Sequence, residues 1–162
     1  MMSKHLVVLN VNGKRRQLRV ESHERLLDVL RKRFGLMSVK EGCGTGDCGA
    51  CVVILNGRLV NSCLMLAVQA RNAKIQTLEG LGNEKKLHPL QKAFIRHSAA
   101  QCGYCTPAMI LTAKNLLDKN QKPSREEIRN AISGSLCRCT GYVKIVDAIQ
   151  EAANEMRGET VG

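Results

Sequence analysis

The sequence has no tryptophan, and aromatic residues make up only 2% of its 162 positions. That scarcity disfavours a nucleic-acid role, despite a formal net charge of +11, because almost no rings accompany the cations for base stacking. Lysine and arginine are spread along the chain, densest at Lys14-Arg15-Arg16 and Arg31-Lys32-Arg33. Small domains with so few aromatics need support from metals, disulfides or partners. No run is long and apolar enough to span a membrane. The start, Met1 to Val8, lacks a signal peptide's apolar core and cleavage site and runs into a strand-like Leu6-Val7-Val8-Leu9, so a cytoplasmic location is the expectation. Carboxylates such as Glu79 and Asp118 form no paired constellation, and no nucleophile stands with a base. The chain alone is therefore expected to carry out no substrate chemistry. His5, His23, His88 and His97 are scattered, which favours solvated or packing roles. The methionines show no clustering, and Met109 and Met156 fall on helix stripes, where core packing is the default.

Cysteine, in contrast, is plentiful: there are eight, and in a reducing compartment metal ligation is favoured over disulfides. They fall four and four across Gly80-Leu81-Gly82-Asn83-Glu84-Lys85-Lys86, a polar, glycine-containing stretch that reads as a linker. The expected division is residues 1–80, a linker at 81–86, and residues 87–162. The first part reads as strands around one helix. Leu6 to Val11 and Gln17 to Val20 flank Asn12-Gly13, and Cys51 to Leu55 and Arg58 to Val60 flank Asn56-Gly57, two strong hairpin signals. Lys74 to Leu78 adds a short strand. Ser22 is a candidate cap for a helix from about His23 to Phe34, stopped by Gly35, with Leu26, Leu27, Leu30 and Phe34 on one face. A small mixed sheet on one helix follows.

The second part reads as four helices, suggesting a small bundle. They are His88 to His97; a helix opened by Thr106-Pro107 with Met109, Ile110, Ala113, Leu116 and Leu117 on its stripe; one opened by the capping box Ser124-Arg125-Glu126-Glu127; and one from about Tyr142 with Ile145, Ala148, Ile149, Ala152 and Met156 on one side. The tail from Arg157 to Gly162 is expected to fray.

Cys43, Cys48, Cys51 and Cys63 follow C-x4-C-x2-C-x11-C, the plant-type 2Fe–2S spacing. Four thiolates must converge on two irons, so the loop has to fold tightly. Gly42, Gly44, Gly46 and Gly49 give it that freedom and let amide N–H groups approach the sulfurs. A phosphate cradle would want a Gly-Lys-Ser/Thr ending, which is missing. Cys102, Cys105, Cys137 and Cys139 form C-x2-C, a 31-residue gap and C-x-C. Both pairs adjoin helix starts, whose N–H groups and dipoles favour thiolates. Spacing alone would make this second set a four-cysteine zinc site; its company beside the first set argues for a two-cluster relay. Each oxidised 2Fe–2S core with its four thiolates carries about −2, so two would reduce +11 to about +7.

Val39-Lys40-Glu41-Gly42-Cys43, Asp47-Cys48-Gly49-Ala50-Cys51, Gln101-Cys102-Gly103-Tyr104-Cys105-Thr106-Pro107 and Leu136-Cys137-Arg138-Cys139-Thr140-Gly141-Tyr142 resemble the signatures of the molybdenum hydroxylases, the xanthine dehydrogenase, aldehyde oxidoreductase and carbon monoxide dehydrogenase family. The resemblance runs from about Leu6 to Met156 and is to the separate small subunit of that family. It implies an α+β chain: an N-terminal β-grasp, plant-ferredoxin-like domain followed by a C-terminal four-helix bundle, each with one 2Fe–2S cluster. It implies a large subunit binding molybdopterin cytosine dinucleotide, a medium FAD subunit, and a hetero-oligomer such as a dimer of heterotrimers. Electrons would pass from molybdenum to the helical-domain cluster, to the β-grasp cluster, to FAD. Gln101 and Cys139 would lie closest to the pterin, Gln101 hydrogen-bonding it and the Cys139 sulfur accepting from its amino group. The sequence departs from the family at Ala108, where glycine is usual, and at Tyr104, where phenylalanine is commoner. A free-standing two-cluster ferredoxin, or a mixed 2Fe–2S/zinc binding module, are the alternative readings.

Overall fold

The computed structural model describes residues 4–83 and 85–159. β1 (Lys4–Val11) and β2 (Lys14–Glu21) pair antiparallel from Lys4↔Glu21 to Val11↔Lys14. Their turn, Asn12-Gly13, holds φ angles of 51° and 77°, and the second turn, Asn56-Gly57, holds 48° and 80°. Two successive positive φ values are what a two-residue hairpin loop requires, and Asn and Gly tolerate them best. The second turn joins β3 (Val52–Leu55) to β4 (Arg58–Asn61). β5 (Lys74–Gln76) lies between the hairpins, parallel to β1 and antiparallel to β3, giving the mixed order β2-β1-β5-β3-β4. Val7, Leu9 and Val11 alternate inward onto Leu26, Leu27 and Leu30, the period-two pattern of a half-buried strand.

The helix under the sheet starts later than expected. α1 (Leu26–Asp28) has Arg25 at its N-cap and runs into a π turn at Val29–Arg33. Ser22 does not cap it, and its hydroxyl bonds the His5 imidazole instead. The first helical donors find partners elsewhere: Leu26 N–H reaches the Met65 carbonyl at 2.7 Å and Leu27 N–H the Ser62 carbonyl at 3.1 Å. Tertiary acceptors thus do the work of a cap. Gly35, at φ 69°, ends the helix as expected.

Four helices follow: α2 (Pro89–Arg96), α3 (Thr106–Leu117), α4 (Arg125–Ile132) and α5 (Val143–Met156). His88 caps α2 by accepting from Leu90 N–H, and the Ser124/Glu127 box closes in both directions. Leu90, Phe94, Met109, Ile110, Ile128, Ile132, Ile145 and Ile149 form one core. α3 is buried on nearly every side because it also packs on β3, and Asn115 Nδ2 donates to the Gly57 carbonyl at 2.8 Å. Met109 is in the core, whereas Met156 is 42% exposed, against the expectation for its stripe. The overall class is mixed α+β. Among the described residues no helix is long and apolar enough to cross a membrane.

One expectation about a loose segment is corrected. Arg157 is anchored, donating to the Gln121 carbonyl, the Ala153 carbonyl and Asn154 Oδ1; Thr160, Val161 and Gly162 of the expected frayed tail lie outside the described residues. The segment leading to the linker is also tied. Asn12 and Thr77 exchange two hydrogen bonds, and the Glu79 carboxylate accepts from Ser38 N–H, Ser38 Oγ and Thr77 Oγ1. Glu84 of the expected linker, like Met1 to Ser3, lies outside the described residues.

Candidate metal centres

All eight cysteines are free thiols. The first four converge where the loop after α1 meets the start of β3. Gly44, Gly46 and Gly49 hold positive φ, which lets the loop turn back on itself within a few residues. A Cβ on Gly42 would stand 2.7 Å from Cys48 Sγ, so only glycine admits that sulfur. Thr45 N–H and Cys48 N–H both point at Cys43 Sγ at 3.4 Å. Cys51 Sγ lies 3.3 Å from Cys63 Sγ, the latter delivered by the β3–β4 hairpin. Asn61 was not anticipated as a site residue: its Nδ2 donates to the Gly46 carbonyl at 2.9 Å and pins the loop to β4.

The second four converge between the turn before α3 and the turn before α5. Cys139 Sγ and Cys102 Sγ are 3.6 Å apart, and Cys105 and Cys137 lie close enough to perturb each other's acidity. Thr140 aims both its hydroxyl (3.1 Å) and its N–H (3.4 Å) at Cys137 Sγ. Tyr142 sits at φ 68°, uncommon for a bulky residue; its hydroxyl accepts from Cys137 N–H at 2.8 Å, which holds the turn closed. The threonine after the C-x-C pair was a readable signal for this support, because a short hydroxyl side chain there reaches back to the sulfur. Gln101, Cys102 and Cys139 are all exposed, while Cys105 is buried.

The thiols differ in acidity. The exposed Cys43 thiol is lowered to about 6 by the Thr45 side chain and the Cys48 and Thr45 N–H groups. Burial pushes Cys137 up, but the Thr140 hydroxyl and N–H outweigh it and bring it to about 7. Burial raises Cys63 to about 11 and Cys105 to about 12, each helped by its cysteine neighbour.

Both sets fit a 2Fe–2S group. In each set two of the sulfurs stand as a close pair, which a two-iron core with four cysteine ligands can accommodate. Thiolate sulfurs are also met by N–H and O–H donors, the contacts that tune such a core. The two sets touch. Leu136 N–H, next to Cys137, donates to the carbonyl of Cys48 at 2.9 Å. Beside that bond, Gly49 lies so close to the Gly134 carbonyl that a side-chain carbon would overlap it.

Comparison with known proteins agrees with this arrangement. The family profile described as a 2Fe-2S iron-sulfur cluster binding domain matches residues 9–78, and that described as a [2Fe-2S] binding domain matches residues 77–150. The nicotinate dehydrogenase small FeS subunit of Eubacterium barkeri is 56% identical over 93% of this chain and 96% of its own. The chain belongs to the iron–sulfur subunits of the molybdenum hydroxylase family. Within that family, the aldehyde oxidoreductase iron-sulfur-binding subunit of Escherichia coli K12 is 43% identical over 93% of this chain and 72% of its own. The structure of quinoline 2-oxidoreductase from Pseudomonas putida matches with a TM-score of 0.90 at 46% identity, over 97% of this chain and 99% of that one. The aldehyde oxidoreductase of Desulfovibrio desulfuricans matches at 0.94 and 50%, over 96% of this chain but 18% of its own. There, the equivalent region is one part of a longer polypeptide. The matched profile over residues 77–150 favours a [2Fe-2S] group over zinc in the helical part.

Proposed function

We propose that Cys43, Cys48, Cys51 and Cys63 hold one 2Fe–2S cluster, that Cys102, Cys105, Cys137 and Cys139 hold the other, and that the chain conducts electrons between a molybdopterin subunit and an FAD subunit. When bound, the clusters supply one-electron redox capacity; the protein supplies their placement. The observation that carries the reading is the Leu136–Cys48 hydrogen bond, which brings a ligand of one set into contact with the neighbour of a ligand of the other. In a relay the two sites must be near, and no side chain intervenes in that link.

The two units would divide as residues 1–80, a β-grasp domain, and residues 87–162, a four-helix bundle, with 81–86 between. The exposed Gln101 and Cys139 are the residues proposed to face molybdopterin cytosine dinucleotide on the large subunit. The exposed Cys43 loop is proposed to face FAD on the medium subunit. Relatives of closely similar sequence carry the names nicotinate dehydrogenase and aldehyde oxidoreductase, so substrate choice is assigned to the large subunit. A cytoplasmic hetero-oligomer such as a dimer of heterotrimers follows from the same reading.

Metal analysis of the natively assembled protein tests it. Four irons and four acid-labile sulfides per chain are expected, with two distinct EPR signals on reduction, and larger chains should co-purify. Zinc at either site would overturn the ligand assignment. Purification alone with four irons would favour the free-standing ferredoxin instead.

A further inference from the structure

Tyr104 lies between two cysteines of the second set, yet its hydroxyl donates to the carbonyl of Glu41, 63 residues away, at 2.5 Å. Glu41 is two residues before Cys43 of the first set. The acceptor residue is itself fixed: Arg25 binds both oxygens of the Glu41 carboxylate, at 2.6 and 3.1 Å, and also Asp28 at 2.7 Å. The neighbouring Lys40 ammonium stands 5.9 Å from the Tyr104 ring centroid, within cation–π reach. The ring is 46% exposed, so it is not held there by core packing.

The second set has two arms, one carrying Cys102 and Cys105 and the other Cys137 and Cys139. Leu136 links the second arm to the first-set loop at Cys48. Tyr104 links the first arm to the same loop at Glu41. The packing of α3 on β3 and the Asn115–Gly57 bond hold the two parts together away from the cysteines; the Leu136 and Tyr104 bonds, one on each arm, fix the cysteine-bearing loops themselves. The route from Cys105 through the tyrosine ring to Cys43 is too long in bonds to rival the Leu136 link as an electron path, so its contribution is mechanical. We propose that the Tyr104 hydroxyl is a positioning group that locks the two cysteine sites at one distance and orientation. This rests on the reading that both sites hold clusters.

Tyr104→Phe removes the oxygen and keeps the ring and its cation contact. In the natively assembled, cluster-loaded protein, amide exchange at residues 42–45 and 102–104 should rise about tenfold, the population change that one ordinary hydrogen bond sets. The spin–spin splitting between the two reduced clusters should change, while each cluster's own EPR signal and the count of four irons stay as in the parent. Unchanged exchange and splitting would overturn the proposal. So would a rise in exchange across the whole helical part, or an altered signal from either cluster alone, since both describe general support rather than positioning. A parent lacking four irons would sink the cluster reading, and the exchange measurement would still decide whether the hydroxyl clamps the loops.

Discussion

Replacing Gly49 with alanine strikes the junction of the two cysteine sites. Gly49 holds φ 70°, where a Cβ costs about 1–2 kcal/mol. The new carbon would overlap the Gly134 carbonyl oxygen and stand 3.0 Å from Gly134 C and Ser135 Cα. These are backbone atoms with no rotamer to escape into, so the 134–136 segment must retreat, at about 1–3 kcal/mol. The retreat stretches the Leu136–Cys48 bond, worth about 1 kcal/mol. The sum is about 4 kcal/mol, which for a chain of this size lowers the unfolding midpoint by about 12 °C. Gly134→Ala is the control across the same contact. Nothing lies within 4 Å of where its Cβ would stand, and its φ is not positive, so it should stay within about 1 kcal/mol of the parent and stabilise slightly if anything. Scanning calorimetry of both cluster-loaded variants measures the difference. Equal midpoints for the two alanines, or a Gly49→Ala midpoint at the parent's value, would refute the reasoning.

The remaining predictions are briefer. Ile149→Ala opens a cavity in the fully buried helical core; the expected cost of about 2–5 kcal/mol should appear as a lower calorimetric midpoint with the iron count intact. Burial pushes the Glu79 carboxyl up, but the Ser38 and Thr77 side chains and Ser38 N–H outweigh it and hold it below the ordinary carboxylate range. With its folded pKa depressed, its contribution is present above the unfolded carboxylate pKa and is lost as pH falls through the folded value. Protection of the Ser38 amide should therefore drop on acidification in the parent, and be lower but nearly pH-independent in Glu79→Gln. Stripping both clusters with a chelator under reducing conditions should lower the unfolding midpoint and make amide exchange fastest at residues 42–48 and 137–141.

Local chemistry was legible in the sequence, and contact between distant segments was not. The Asn-Gly dipeptides predicted both hairpins because their positive φ demand is met within the dipeptide itself. The Ser124/Glu127 capping box worked for the same reason. Ser22 failed as a cap because the helix starts only at Leu26, where the carbonyls of Met65 and Ser62, distant in sequence, take the first donors, Leu26 N–H and Leu27 N–H. At the sites, spacing divided the eight cysteines into the two groups of four that the fold brings together. Thr140, three residues from Cys137, was readable locally; Asn61 acts through a tertiary contact with Gly46, and the Tyr104–Glu41 bond depends on how the two parts pack. The sequence offered only a hint of the last: a tyrosine where phenylalanine is commoner. Arg157 showed the converse, a terminal residue expected to fray that three acceptors hold in place.

The uneven burial of the cysteines bears on how such a chain ages. Cys43, Cys102 and Cys139 are exposed, whereas Cys51, Cys63 and Cys105 are buried. Oxidants in solution reach sulfur in order of accessibility and thiolate character, so damage begins at the three open corners and reaches the sealed ones last. In the proposed relay these corners are also where a charge would enter or leave. On that proposal, a chain kept waiting in air would lose its electrical terminals while its hydrophobic core stood intact, and would pass inspection by any assay that reads folding alone.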